Sequence, residues 1–140
     1  MKKVLFLSFL LCHAILLSAQ SVTGKWKTID DETGKPKSIV EVYEQDGKIC
    51  GKIIQLFRAP DENQDPTCKE CKGAKKGQKI IGMVIMEGLV WDVDEYDDGT
   101  ILDPNNGKVY DCKIWLEDGK IMVRGYIGPF FRTQEWVKVN

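Results

Sequence analysis

Apolar and polar residues alternate along most of this chain in short runs separated by turn dipeptides. The runs are Thr23–Ile29, Ser38–Gln45, Lys48–Phe57, Ile80–Met86, Thr100–Leu102, Val109–Glu117, Lys120–Ile127 and Arg132–Val139, all rich in Ile, Val, Trp and Tyr. A period of two over such lengths puts one side of a strand in a core and the other in water. Asp-Gly, Asn-Gly and Thr-Gly pairs punctuate the runs. The pattern predicts an all-β domain, a small antiparallel β-barrel of about eight to ten strands, with a sandwich as the other arrangement of such strands. Helix is scarce. One helical turn is expected at Asp65-Pro66, with the aspartate as cap and proline at the first helical position.

Two hairpins can be registered from sequence. Asp46-Gly47 is a two-residue turn that sets Gln45 opposite Lys48, so Val42 faces Gly51 and Val40 faces Ile53. On the reverse side Tyr43 faces Cys50, and Glu41 faces Lys52. Asp118-Gly119 sets Ile114 opposite Val123, Cys112 opposite Gly125 and Tyr110 opposite Ile127, with Trp115/Met122, Lys113/Arg124 and Asp111/Tyr126 behind. The first set of each hairpin is expected to face the core, and a slip of one residue would reverse the assignment. The polar connection Arg58–Lys79 stands apart. A connection of this length is either a pinned surface excursion or functional.

Met1–Ala19 has the layout of a secretory signal peptide: Lys2 and Lys3 first, then apolar Val4–Leu17, then Ser18-Ala19-Gln20 for cleavage after Ala19. The apolar stretch is too short and wrongly flanked to span a bilayer. Leu11 precedes Cys12 where a lipoprotein site needs a small residue. A soluble, periplasmic or secreted product is therefore expected, with residues 20–140 as a single domain. Of the 20 Lys and Arg, two lie in the leader, which leaves 18 against 21 Asp and Glu. No basic stripe supports nucleic-acid binding, and no later run approaches membrane-spanning length.

The only histidine, His13, lies in the leader. The rest of the chain has no imidazole for a Ser-His-Asp or Cys-His nucleophile, a metal ligand or a general base. No catalytic set, metal site or cofactor is expected. Four cysteines remain beyond the leader: Cys50, Cys68, Cys71 and Cys112. Cys68 and Cys71 are disulfide candidates, close enough in sequence to bridge each other. Cys50 falls on the outer side of its hairpin and Cys112 on the inner side of the other, which counts against a bond between them. A redox reading of Cys68-x-x-Cys71 needs Cys68 in the first turn of a helix capped by Asp65, where amides, Lys69 and Lys72 would favour a thiolate. Thiol oxidoreductases place that motif after a strand in a βαβ unit, and none is visible. Zinc through all four cysteines would require two distant strands to converge on the loop. The acidic clusters Asp30-Asp31-Glu32, Asp92/Asp94/Glu95 and Asp97-Asp98 fit no twelve-residue calcium loop. They read as solvated turns between strands, as does Asp103-Pro104-Asn105-Asn106-Gly107.

Several blocks occur together in order: Gly24-Lys25-Trp26-Lys27-Thr28-Ile29-Asp30-Asp31, Gly34-Lys35-Pro36-Lys37-Ser38, Cys68-Lys69-Glu70-Cys71-Lys72-Gly73 and Ile81-Gly82-Met83. They are followed by Leu102-Asp103-Pro104, Gly107-Lys108, Val123-Arg124-Gly125-Tyr126-Ile127-Gly128 and Arg132-Thr133-Gln134-Glu135-Trp136. Together they resemble the bacterial secreted family known as domain of unknown function twenty-one forty-seven, over essentially the whole chain after the leader. Two departures are Phe131, where members tend to have glycine, and Trp91-Asp92, where they are usually more basic. The family's activity is unknown, so the resemblance implies a barrel and no mechanism. Gly24-x-Trp26 also looks like the calycin pattern of lipocalins and fatty-acid-binding proteins. There the tryptophan closes one end of the barrel and an arginine stacks on it, a part Arg132 or Arg124 would take here.

The expected function is non-catalytic binding of a small apolar or amphipathic ligand such as a fatty acid. Trp26, Arg124, Tyr126, Arg132 and Gln134 are the candidate ligand-binding residues, and an arginine buried among aromatics could hold a ligand carboxylate. A second reading is an envelope interaction or structural module that uses Gly128-Pro129-Phe130-Phe131 as a contact surface. A third is a thiol redox protein.

Overall fold

A computed structural model describes residues 21–140; the leader reading at Met1–Ala19 lies outside them. Eight strands follow one another around a closed antiparallel barrel: β1 (Gly24–Ile29), β2 (Pro36–Gln45), β3 (Lys48–Leu56), β4 (Val84–Asp92), β5 (Glu95–Asp103), β6 (Lys108–Glu117), β7 (Lys120–Ile127) and β8 (Phe130–Lys138). Closure comes from β8 returning to β1, with Trp26, Lys27 and Thr28 opposite Lys138, Val137 and Trp136. The seam joins the first strand to the last over these three pairs.

Both registered hairpins form as expected. Val40↔Ile53, Glu41↔Lys52, Val42↔Gly51 and Tyr43↔Cys50 pair in the first. Cys112↔Gly125, Lys113↔Arg124, Ile114↔Val123 and Trp115↔Met122 pair in the second. Asp46, Gly47, Asp118 and Gly119 all have positive φ. Two such residues in a row match the right-handed twist of the flanking strands, and Asp-Gly adopts them at little cost. The inward set is buried: Val40, Val42, Ile53, Cys112, Ile114 and Val123.

Three expectations need correction. The Ile80–Met86 run is not itself a strand. Gly82 (φ 93°) breaks it, and β4 starts at Val84 and continues to Asp92. The acidic residues Glu95, Asp97 and Asp98 are not turn residues but lie in β5. The turn is Val93-Asp94, and the charged side chains occupy a barrel face that water solvates. The helical turn expected at Asp65-Pro66 is absent; the only helical turn among the described residues is the 3-10 turn Gly73–Lys75.

Alternating connections gather at opposite ends of the barrel. The tight β2–β3, β4–β5 and β6–β7 turns mark one end, which Trp26 fills. Its indole is 1% exposed and donates to Val22 O at 2.8 Å. Val40, Met86, Leu89, Ile114, Ile121 and Trp136 complete the core. Gly99 admits Leu89, whose Cγ would lie 2.5 Å from any Cβ placed there.

The other end carries the β1–β2, β3–β4, β5–β6 and β7–β8 connections. The long β3–β4 connection is pinned by a Thr67↔Lys79 bridge and by backbone hydrogen bonds Cys68 N→Gln78 O and Ile80 N→Pro66 O. Lys75 Nζ also donates to Val84 O at 2.9 Å. Cys68 and Cys71 are joined in a disulfide and fully buried. Cys50 and Cys112 are free thiols.

No helix among the described residues is long and apolar enough to cross a membrane. On the outer face, Glu41–Lys52 and Lys120–Glu135 form exposed ion pairs. Such charges are costly on a lipid-facing barrel wall.

Candidate functional site

Side chains fill the barrel around Trp26 but not near the loop-bearing end. A cavity of about 690 Å³ occupies that half, within the size range of small-ligand sites. Its deep wall is apolar, with Ile53, Ile85, Ile101, Val123 and Trp136. Gly125 helps to keep it open. A Cβ there would lie 3.4 Å from Tyr110 Cβ and 3.7 Å from Ile101 Cγ2, so the missing side chain leaves room above the Tyr110 ring. Two buried polar residues face the same space, Thr28 and Ser38. Their hydroxyls lie 2.7 Å apart, and Ser38 N donates to Thr28 Oγ1 at 3.1 Å, so the pair is self-satisfied.

The mouth is charged with both signs. Arg132 Nη2 meets Asp31 Oδ2 at 2.5 Å, which ties β8 to the β1–β2 connection. Arg58 Nη2 meets Glu62 Oε2 at 3.3 Å. Asp30 is occupied within its own turn, where its Oδ1 accepts from the Thr33 amide, the Thr33 hydroxyl and the Glu32 amide. The Thr33 amide, then its hydroxyl, hold the Asp30 carboxyl below the usual range.

The five candidate residues divide by strand parity. Gln134 pairs with Val123 and Arg132 with Gly125. Both therefore stand on the inward side of β8 and line the cavity, Arg132 at its rim. Arg124 and Tyr126 alternate with the inward Val123 and Gly125 and stand on the outer face. Arg124 is sandwiched between Trp115 (4.9 Å) and Phe131 (4.4 Å), and its Nε donates to Thr133 Oγ1 at 2.7 Å. Tyr126 lies 6.0 Å from Phe131. Trp26 closes the far end, below the cavity. The cation over its ring is Lys138, 5.3 Å from the centroid, and not Arg132 or Arg124 as the calycin pattern implied. Trp26 pairs with Lys138 across the closing seam, whereas Arg132 is six residues up the strand at the opposite end.

Tyr110 and Arg58 also line the cavity and were not among the candidates. For Tyr110 the signal was present, since the Asp118-Gly119 register puts it on the inward set. Arg58 gave none, because it lies past the end of β3, where alternation stops.

Cys68 and Cys71 are bridged and buried. With no helical turn at Asp65-Pro66, Cys68 has no aligned amides to favour a thiolate. Its sulfur packs 3.5 Å from Pro104 O. Burial, and secondarily the Asp97 charge, push the Cys112 thiol up to about 12.

A family profile described as an uncharacterized protein conserved in bacteria (DUF2147) matches residues 24–138. Among solved structures, the chain is similar to protein HP1028 from the human pathogen Helicobacter pylori, which belongs to the lipocalin family. The TM-score is 0.74 at 18% identity, covering 87% of this chain and 85% of that one. At that identity the likeness concerns the fold, a lipocalin-like closed eight-stranded barrel. No curated protein matches the sequence.

Proposed function

We propose that this protein, which belongs to the bacterial DUF2147 family, is a binding barrel that holds a small apolar or amphipathic molecule without transforming it. The observation that carries the reading is the cavity of about 690 Å³, apolar in its depth and open at one end of an otherwise filled barrel. Burial of an alkyl chain there contributes about 0.8 kcal/mol per methylene before the costs of association. Arg132 and Gln134, on the cavity side of β8, contact the ligand. Trp26, Arg124 and Tyr126 support the barrel from its closed end and its outer face.

The test is native mass spectrometry of protein purified gently from its own host, with titration of the neutral fluorophore N-phenyl-1-naphthylamine. Protein that carries no adduct and does not enhance the fluorophore would overturn the reading. The disulfide and the bacterial family are compatible with an extracytoplasmic location. Export through cleavage after Ala19 would give a mature chain beginning at Gln20, and intact-mass measurement of the envelope protein tests that.

A second reading is supported by the β7–β8 hairpin. Phe130 and Phe131 are 77% and 60% exposed, an apolar tip at the barrel mouth suited to contact with another envelope protein. If so, crosslinked partners should disappear when both phenylalanines are replaced by serine.

A further inference from the structure

The barrel's closing seam is short. β8 pairs with β7 from Phe130 to Trp136, but with β1 only at Trp136, Val137 and Lys138. Residues 130–135 therefore have a ladder on one side alone, a stretch of roughly 20 Å at about 3.3 Å per residue.

β1 leaves the seam for a local reason. Its register against β2 shifts between Thr28 and Ile29, so that Ile29 faces Pro36. A bulge of this kind bends the strand that carries it, and Pro36 has no N–H to hold a regular rung. The shift falls at the last β1–β8 rung, Thr28↔Trp136. From there β1 follows β2 into residues 30–35, while β8 keeps to β7.

The cavity lies behind this split. Ile29, Asp30 and Asp31 line it from the β1 side, and Arg132, Gln134 and Trp136 from β8. Residues 30–35 are bonded internally. Asp30 N donates to Lys35 O at 2.9 Å and Gly34 N to Asp30 O at 2.8 Å, while Asp30 Oδ1 accepts from the Glu32 and Thr33 amides. They reach β8 through one polar contact among the described residues, the Arg132–Asp31 ion pair. Glu32 and Lys37 line the same mouth and form no ion pair among the described residues. Lys37, on β2, is a base on the same side of the split as Asp31 and bridges nothing across it. Glu32, next to Asp31, is the acid that would take its place.

We propose that the split between β1 and β8 is the entrance to the cavity, and that the Arg132–Asp31 pair is the latch across it. This rests on the binding reading above and says how that site is reached. A ligand enters when the bonded β1–β2 connection swings away from β8, which breaks that one pair and no ladder rung. The Arg132 side chain is 65% and the Asp31 side chain 30% exposed, so the latch is weak and salt-sensitive.

The test is stopped-flow exchange of the neutral probe N-phenyl-1-naphthylamine. Asp31→Asn with Glu32→Gln should raise the entry and exit rates together, about two- to fivefold, the range an exposed ion pair supports. Sodium chloride at about 0.5 M should speed the wild type by a similar factor and leave that variant unchanged. Exchanging the charges, Asp31→Arg with Arg132→Asp, should restore slow exit. The entrance is tested separately. In a Cys50→Ser background, Asp31→Cys and Arg132→Cys are joined by a short bis-maleimide. That protein should exchange the probe at least about tenfold more slowly than the same variant capped with N-ethylmaleimide. Equal rates in the bridged and capped proteins overturn the entrance and leave the binding barrel standing. A slow bridged protein, with exit rates that ignore both salt and the Asp31 variant, overturns the latch. A probe that does not bind removes the binding reading and this one with it.

Discussion

Replacing Gly107 by alanine should loosen the disulfide-bearing loop from the barrel rim. Gly107 has φ 71°, and a Cβ there would lie 1.9 Å from Glu70 O and 2.4 Å from Glu70 C. The left-handed backbone costs an alanine about 1–2 kcal/mol, offset by about 0.4–1 kcal/mol because alanine also restricts the unfolded chain. A carbon–oxygen contact needs about 3.3 Å, so Glu70 must retreat by more than an ångström. Since the obstacle is backbone, no side-chain rotation relieves it, and overpacking of this kind costs about 1–3 kcal/mol. Gly119 is the control, with φ 76° and nothing within 4 Å of its Cβ position. Gly119→Ala carries the dihedral cost alone, so the difference between the two variants isolates the contact. At roughly 4 °C per kcal/mol for a domain of this size, Gly107→Ala should melt about 4–12 °C below Gly119→Ala. Hydrogen exchange should also quicken at the Cys68, Gly77 and Ile80 amides, which are bonded to Gln78, Cys68 and Pro66 carbonyls. Equal melting temperatures with unchanged exchange at those amides would refute the idea that Gly107 seats the loop.

Thr28→Val removes a buried hydroxyl that Ser38 uses twice, and should cost about 1–3 kcal/mol in urea unfolding. Adding Ser38→Ala should restore part of that, and strictly additive losses would contradict the pairing. Cys112 should resist a disulfide-exchange reagent at pH 8 in the folded protein, so that only Cys50 reacts; rapid modification of both thiols would count against its burial. The fold raises the value of this acid, so it favours the protonated thiol. That stabilisation is complete below the ordinary value of 9.0 and is lost as pH rises towards about 12. Cys112→Ala should flatten that stretch of the stability profile, and an unaltered slope would refute the assignment. Cys68→Ser with Cys71→Ser opens a disulfide of sequence separation 3. Chain entropy puts the loss near 2 kcal/mol, and urea midpoints unchanged by the double substitution would show that hydrogen bonds alone hold the loop.

The hairpins were legible because their information is local. Asp-Gly supplies two positive φ angles, which fix the turn, and the period of two then carries register and face along both strands. That parity alone puts Val42, Ile114 and Tyr110 on the inward side. It failed at β4 because hydrophobic runs report burial and not ladder hydrogen bonds. Ile80 packs against the core from the pinned connection, while the ladder begins at Val84. At β5 the acidic composition argued for a turn, yet an outward face accepts Glu95 and Asp97 once β4 and β6 pair on either side. The site was half visible. Arg124 and Arg132 look equivalent in sequence, and only the register of β7 on β8 sends one outside and the other to the rim.

Taken alone, then, the amino-acid sequence determined the class of fold, two registers, the inward faces and the absence of histidine after His13. These follow from residue type, turn chemistry and periodicity over a few neighbouring positions. Tertiary structure decided that the barrel closes on eight strands, that Lys138 covers Trp26, and that a cavity of about 690 Å³ remains at the loop-bearing end. It also decided that Arg132 and Gln134 line the cavity while Arg124 and Tyr126 stand outside it. Those outcomes depend on contacts between residues far apart in sequence, where the shape of the space left between side chains, and not the pattern along any one strand, sets what a ligand would meet.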